Sequence, residues 1–306
     1  MAAVASVIHV LTGCTAVGKT ALALGWAEAN DAEILSCDSL LFYRGMDIGT
    51  AKPTREERAR VPHHLVDTNA VTEPMDVARY VVLARRAAEG IWARGRRVLV
   101  AGGSGFYLRA FFGPVADDIA VPPALREELR ERLERKGLDD LRSELQRLNP
   151  GGLGQLDPAN PRRVVRALER CRASGRTLTE LAEAFAAQPG PFADCEVRLV
   201  ELVRERADLE RRIDARVAAM LRDGLVAEVR ALAASGLERN PSAVGAIGYR
   251  ETLAHLHGRL PEAELPAAIA ANTRALVRKQ KTWFRTQLPE HRKVDAAQAG
   301  PGELFA

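Results

Sequence analysis

The sequence predicts an α/β protein: a P-loop NTPase-like core built on a parallel sheet, with an all-helical domain inserted into it. Three observations carry that expectation. Short apolar, β-branched runs alternate with segments of helical spacing in the first part of the chain, the pattern of a parallel sheet covered on both faces. Between about Asp117 and Pro191 no strand-like run occurs, and one returns only at Glu196–Val203. A glycine-rich loop separates the first strand from the first helix.

Val4–Leu11 is apolar and β-branched and leads through Gly13–Gly18 into a helical stretch, Thr20–Ala29. Ala32–Cys37 is a second short apolar run that ends at Asp38. Val77–Arg94 has helical spacing, and Arg97–Val100 is a third strand ending at Gly102-Gly103. The inserted block contains helical patterns at Ala124–Lys136, Leu138–Leu148 and Pro161–Ser174, with turn-rich stretches such as Asn149-Pro150-Gly151-Gly152 between them. After the returning strand come long helices at Arg206–Asp223, Leu225–Ser235 and Leu265–Thr286. The expected organisation is a core over 1–116, a helical insertion over 117–192, and the rest of the core over 193–306. The last dozen residues are expected to fray.

Composition narrows the class without naming a function. At 47% hydrophobic and 27% charged, the 306 residues fall in the globular range, which argues against a disordered, collagen-like or membrane-embedded chain. The net charge of +4 is too mild to establish a nucleic-acid partner, so clustering of charge has to decide. Cys14, Cys37, Cys171 and Cys195 are widely spaced with no C-x-x-C pair, which disfavours a disulfide framework or a zinc site and suits a reducing cytoplasm. The apolar start lacks a basic leader region and reads as a buried strand rather than a signal peptide. No apolar run approaches about 18 residues, so no membrane span is expected. A monomer is the default expectation.

Gly13-Cys14-Thr15-Ala16-Val17-Gly18-Lys19-Thr20 matches G-x-x-x-x-G-K-[ST], and it sits between a predicted strand and a predicted helix, the context such a match requires. Its glycines let backbone N–H groups curl around phosphate oxygens, and the helix N-terminus adds favourable partial charge. Lys19 supplies a point charge, and the Thr20 hydroxyl is placed to hold a magnesium ion. A hydrolase would add a carboxylate at the end of a further strand. Arg97–Val100 ends instead in Ala101-Gly102-Gly103-Ser104. The acid stands after the second strand, at Asp38, where it can face the phosphate loop or serve merely as a helix N-cap before Leu40.

Further motifs run through almost the whole chain: Ser36–Pro53 (SCDSLLFYRGMDIGTAKP), His63–Asp67, Gly102–Tyr107, Pro161–Glu169, Ser174–Leu181, Gly245–Arg250 and Arg278–Arg285 (RKQKTWFR). Together, and in this order, they resemble the bacterial tRNA dimethylallyltransferase (tRNA isopentenyltransferase) family. The resemblance implies transfer of a dimethylallyl group from dimethylallyl diphosphate to N6 of the adenosine just 3′ of the anticodon, in tRNAs reading codons that begin with U. The phosphate loop then holds the donor's diphosphate, no ATP is hydrolysed, and the missing strand-end acid makes sense. This sequence departs from the common family loop at Cys14, where proline is usual, and at Val17, where a small residue is usual. Neither supplies a side chain that phosphate contact needs.

That chemistry assigns roles. An exocyclic adenine amine is a poor nucleophile, and a carboxylate that takes its proton as the C–N bond forms is worth about 10²–10⁴-fold. Asp38 matches the family's position for that base. Lys19, loop amides and an arginine can neutralise the departing diphosphate. Arg212 and Arg216, four apart on one helix face, are candidates for that clamp, against the alternative of surface pairs with Asp208 or Asp214. Ser104 stands where the family places a threonine at the reaction centre.

The resemblance further implies tRNA contacts, in the anticodon stem-loop, at Asp38, Ser39, Leu40 and Leu41, at Ser104 and Arg126, at Arg162, Arg163, Val164, Val165 and Arg166, and at Gly245, Ala246, Ile247, Gly248, Tyr249 and Arg250. Charge supports RNA independently. Arg162, Arg166 and Arg170 form one helical stripe, and Arg274, Arg278, Lys281 and Arg285 another, with no acid between Asn272 and Thr286. Trp283 and Phe284 beside the second stripe suit core packing better than base stacking. His63-His64 and His255/His257 lack zinc-site spacing and read as structural or surface residues. Competing functions are a small-molecule P-loop kinase, prenylation of free AMP, and an RNA-binding module without turnover.

Overall fold

The computed structural model describes residues 6–305. Two compact units emerge, one formed by Met1–Val115 with Gly190–Ala306 and the other by Ala116–Pro189.

The larger unit is built on a six-stranded, all-parallel sheet with strands β1 (Ser6–Gly13), β2 (Ala32–Ser36), β3 (His63–His64), β4 (Arg97–Ala101), β5 (Cys195–Val203) and β6 (Arg292–Asp295), in the order β3-β2-β4-β1-β5-β6. β1 is central, with Ile8 opposite Val98 on one side and Val197 on the other. Every residue of β2 is buried, and so are the last six of β1. That is why these strands read as continuous apolar runs rather than as alternating ones. The Val4–Ala5 part of the first expected strand lies outside the described residues.

The helices of this unit are α1 (Lys19–Ala29), α2 (Arg55–Arg60), α3 (Val77–Ala93) and the short α4 (Gly105–Leu108). The helices of the other unit are α5 (Pro123–Lys136), α6 (Leu138–Leu148), α7 (Pro161–Ser174) and α8 (Leu178–Ala186). The larger unit resumes with α9 (Arg206–Arg222), α10 (Leu225–Ala234), α11 (Pro241–Val244), α12 (Tyr249–Leu256) and α13 (Leu265–Gln287). α1 and α3 both lie against β2 and β4, and α9 packs along α13. Asp76 caps α3 by accepting from the Arg79 amide at 2.8 Å.

The helical unit has its own core of Leu129, Leu141, Leu145, Val164, Leu168 and Leu181. Asn149, expected only as part of a turn, is buried there. It donates to the Leu145 carbonyl (2.8 Å) and accepts from the Leu178 amide (2.6 Å), tying the end of α6 to the start of α8.

Two expectations are corrected. β3 and β6 are too short and polar to show as strands in the sequence; they exist because β2 and β5 offer them an open edge. The last described residues are packed rather than frayed. Leu304 is fully buried, and the Phe305 ring lies 4.9 Å from His9 and 5.0 Å from Trp26, closing over the back of α1. No helix among the described residues is long and apolar enough to cross a membrane.

Candidate active site

The Gly13–Thr20 segment leaves β1 and wraps into α1 through residues in the left-handed region, Ala16 (φ 66°) and Gly18 (φ 109°), the latter serving as N-cap. The Cys14 and Val17 side chains turn into the core, which leaves the loop's backbone facing a cavity of about 580 Å³ lined by Thr15, Gly18, Lys19 and Thr20. Lys19 folds back to donate from Nζ to the Gly13 (2.7 Å) and Cys14 (3.0 Å) carbonyls. Burial pulls its pKa down to about 8, against the opposing pull of Cys14 and Asp38.

Arg212 and Arg216 on α9 line the same cavity. Arg212 Nε donates to the Ala16 carbonyl at 2.8 Å, and Arg216 donates to the Thr50 carbonyl at 3.1 Å. The alternative of ion pairs with Asp208 or Asp214 does not occur: Asp208 takes Arg204 (2.6 Å) and Arg211 (3.0 Å), and Asp214 takes Arg274 (2.5 Å). Burial lowers the Arg216 pKa from its ordinary value, with Asp38 countering. The cluster is thus several cations turned toward one cavity, held by carbonyls rather than carboxylates, which leaves positive charge for an anionic ligand.

Asp38 lies just past β2. Its Oδ1 accepts from the Leu40 amide at 3.0 Å, a local turn and not a helix cap, since no helix follows. Its second oxygen accepts no hydrogen bond among the described residues. The chain reaches this point only because Gly102 has no side chain: a Cβ there would lie 2.1 Å from the Cys37 carbonyl oxygen. Around that crossing Cys37 N–H donates to the Ala101 carbonyl (2.9 Å) and Ser104 N–H to the Cys37 carbonyl (3.3 Å), so the loops after β2 and β4 are laced together.

A second cavity of about 620 Å³ opens on the other side of Asp38. Thr15, Asp38, Thr50 and Arg216 line both cavities. The second also takes Ser39, Leu40, Ser104, Phe106, Gly245, Ala246, Ile247 and Arg250, while Leu41 faces the first. Ser104 is the N-cap residue of α4, yet its side chain makes no capping bond. Phe106 is 61% exposed at the cavity's edge. Two residues of the Gly245–Arg250 segment point elsewhere. Gly248 is a buried junction (φ 93°), and Tyr249 is fully buried with its hydroxyl donating to Glu228 at 2.6 Å, so Tyr249 serves packing and not the cavity surface.

On α13, Arg278, Lys281 and Arg285 are exposed, whereas Arg274 is taken by Asp214. Phe284 is buried in the core and Trp283 is half-buried against it, as expected of both, and the two also line the second cavity, Trp283 beside Gly105. In the helical unit Arg126, Arg162, Arg163 and Arg166 are exposed and Val165 is half-buried. Val164, a tRNA contact by the resemblance, is fully buried, and Arg170 of the expected basic stripe pairs with Asp117.

Two residues that sequence reasoning passed over prove central. Glu228 on α10 accepts from the Asp47 (3.1 Å), Ile48 (2.7 Å) and Gly49 (3.3 Å) amides, holding the segment between Asp38 and Pro53. Arg204 donates to the Val17 (2.9 Å) and Ala296 (2.8 Å) carbonyls, bracing the Gly13–Thr20 loop from beneath. Nothing in a single sequence distinguishes them from the many surface Glu and Arg residues around them. Among the described residues no group of three or more His, Cys, Asp or Glu converges as a metal cage.

A parallel sheet whose first turn faces a cavity lined by Lys19, Arg212 and Arg216, with Asp38 lining both that cavity and a second, makes this an α/β protein with a candidate anion-binding site. The family model described as IPP transferase matches residues 41–287. A tRNA dimethylallyltransferase of Opitutus terrae is 65% identical over 290 residues, covering 95% of this chain and 93% of its own. The crystal structure of a tRNA isopentenylpyrophosphate transferase from Bacillus halodurans is 32% identical, with a TM-score of 0.67 and coverage of 96% and 90%. A eukaryotic dimethylallyltransferase acting on tRNA, 24% identical, shares the fold with a TM-score of 0.83 over 95% of this chain and 74% of its own. The chain belongs to the tRNA dimethylallyltransferase (IPP transferase) family and is a prenyltransferase.

Proposed function

We propose that this protein transfers the dimethylallyl group of dimethylallyl diphosphate to N6 of the adenosine 3′ to the anticodon (position 37) in tRNAs reading codons that begin with U, giving N6-isopentenyladenosine and diphosphate. The observation that carries the reading is the single carboxylate, Asp38, shared by two cavities of unlike character. The first, with Lys19, Arg212 and Arg216, suits a diphosphate. The second, with apolar and aromatic walls and Ser104, suits an extruded base, and the exposed Arg278, Lys281 and Arg285 suit its phosphate backbone.

As the adenine N6 attacks C1 of the donor, the N–C bond forms and the C1–O bond to diphosphate breaks. The N6 proton passes to the Asp38 oxygen that the Leu40 amide leaves free, and the charge that develops on the departing diphosphate is met by Lys19, Arg212 and Arg216. Arg216 is well placed to serve both ends, because it lines both cavities. A magnesium ion fits the Thr20 hydroxyl, an exposed oxygen on the first cavity, provided that it draws its other ligands from diphosphate and water; it would neutralise leaving-group charge.

The test is transfer of radiolabel from dimethylallyl diphosphate to unmodified tRNA without ATP, for wild type and Asp38→Asn, with AMP as a second acceptor. Label on tRNA that falls by about 10²–10⁴-fold in the variant is expected. Label on AMP alone removes the RNA partner, and ATP turnover on a small acceptor with no label on tRNA overturns the reading.

A further inference from the structure

Gln280 on α13 reaches the floor of the second cavity, where two loops share its carboxamide. Oε1 accepts from the Thr15 amide at 2.9 Å, and Nε2 donates to the Gly103 carbonyl at 2.9 Å. The partners set the orientation: flipped, the amide would face N–H with NH₂ and C=O with O. Thr15 belongs to the Gly13–Thr20 loop, and Gly103 immediately precedes Ser104. The two loops meet with no room to spare, since a Cβ on Gly103 would lie 2.9 Å from the Gly13 carbonyl oxygen and 3.0 Å from Gln280 Nε2. Thr15, Gly103 and Gln280 all line the second cavity alongside Asp38.

We infer that Gln280 is a positioning residue, a clasp that sets the spacing between the donor-diphosphate loop and the Ser104 loop on the acceptor side. The inference rests on the prenyl-transfer reading above. A carboxamide suits the task because it offers an acceptor and a donor at one end of one side chain, matching an N–H on one loop and a C=O on the other. It also takes the Thr15 amide out of the phosphate-binding set, so the diphosphate has to be held by the remaining amides, Lys19 and the arginines. Since ground-state binding of each substrate is made by those other groups, loosening the clasp displaces the two reactants relative to each other without removing either. Misplacement by about 1 Å can cost about 10²-fold in the transfer step.

The experiment measures single-turnover transfer of label from dimethylallyl diphosphate to an unmodified anticodon stem-loop RNA, at saturating levels of both, together with KM for each. Gln280→Met keeps the length and removes both bonds. Gly103→Ala drives a methyl between the loops. Each is expected to lower kcat by about 10–100-fold while both KM values stay within about threefold. Gln280→Glu adds a readout that a merely structural role would not move. Ionised, its carboxylate repels the Gly103 carbonyl; protonated, it again offers one acceptor and one O–H donor. Its rate relative to wild type at the same pH therefore recovers as pH falls from about 8 to about 5, approaching the ordinary carboxyl range, with the neighbouring Lys19 and Lys281 holding the recovery toward the low end. Gln280→Met shows no such recovery. A Gln280→Met kcat within twofold of wild type, or a loss confined to KM, overturns the clasp. Should that variant not fold, the same split is required of Gly103→Ala and Gln280→Glu. Absence of label on RNA with wild type overturns the prenyl-transfer reading itself, and is seen before any variant is compared.

Discussion

Replacing Glu228 with alanine removes one carboxylate and four hydrogen bonds: from the Asp47, Ile48 and Gly49 amides and from the Tyr249 hydroxyl. They are unequal. The Asp47 amide is exposed and can turn to water, and the Gly49 bond is long at 3.3 Å. The Ile48 amide at 2.7 Å and the Tyr249 hydroxyl at 2.6 Å are the strong pair, and Tyr249 is fully buried, so its hydroxyl finds no substitute partner. With about 1–3 kcal/mol for each buried group left unpaired, and a half-buried carboxylate, the expected loss is about 3 kcal/mol. Urea unfolding should show it as a lower midpoint at constant slope. The same loss loosens Thr50, whose carbonyl holds Arg216, so donor KM should rise several-fold. Tyr249→Phe combined with Glu228→Ala should cost less than the sum of the two, because both remove one shared bond. A destabilisation below about 0.5 kcal/mol, or strict additivity in the double variant, would refute the assignment of Glu228 as the anchor of this segment.

Two further predictions concern protons and the C-terminus. Because burial brings Lys19 down to about 8, the free enzyme loses that charge as pH rises through 8; donor KM should climb between about pH 7 and 9 in wild type, and Lys19→Met should raise KM at neutral pH and abolish the climb. Truncation after Gly300 removes the fully buried Leu304 and the Phe305 ring from His9 and Trp26, for a loss of about 2–4 kcal/mol in thermal or urea unfolding. His9 supplies the pH signature. Burial holds it near pKa 4 in the folded chain, so between about 6.5 and 4 the unfolded chain binds the extra proton. Stability is then indifferent to His9 above pH 6.5 and falls by up to about 3 kcal/mol as pH drops toward 4. The truncated chain, with His9 opened to water, should show a shallower fall.

The chemistry of the site was readable where a local pattern maps directly onto a local structure. The Gly13–Thr20 loop is contiguous, so its spacing already implies how its amides and Lys19 are arranged. Arg212 and Arg216 were narrowed to one helix face by periodicity alone. The choice between clamp and surface pair was not readable, because it depended on where Asp208 and Asp214 found their own partners, Arg204, Arg211 and Arg274. Arg170 shows the same limit: periodicity gives a face but not what lies across from it, and the fold pairs this arginine with Asp117.

From the sequence alone came the parallel α/β core, the helical insertion and the glycine-rich loop, because each rests on residues close together in the chain or on a repeating period; the role expected of Asp38 came from the family resemblance. Only the tertiary structure decided that Gln280 joins the Thr15 and Gly103 loops from 265 and 177 residues away, that Glu228 anchors the segment after Asp38, and that the last residues close over His9 and Trp26. These are single long-range hydrogen bonds and edge contacts. They carry no periodicity and little composition, so they come into being only when the folded sheet brings distant loops to one edge.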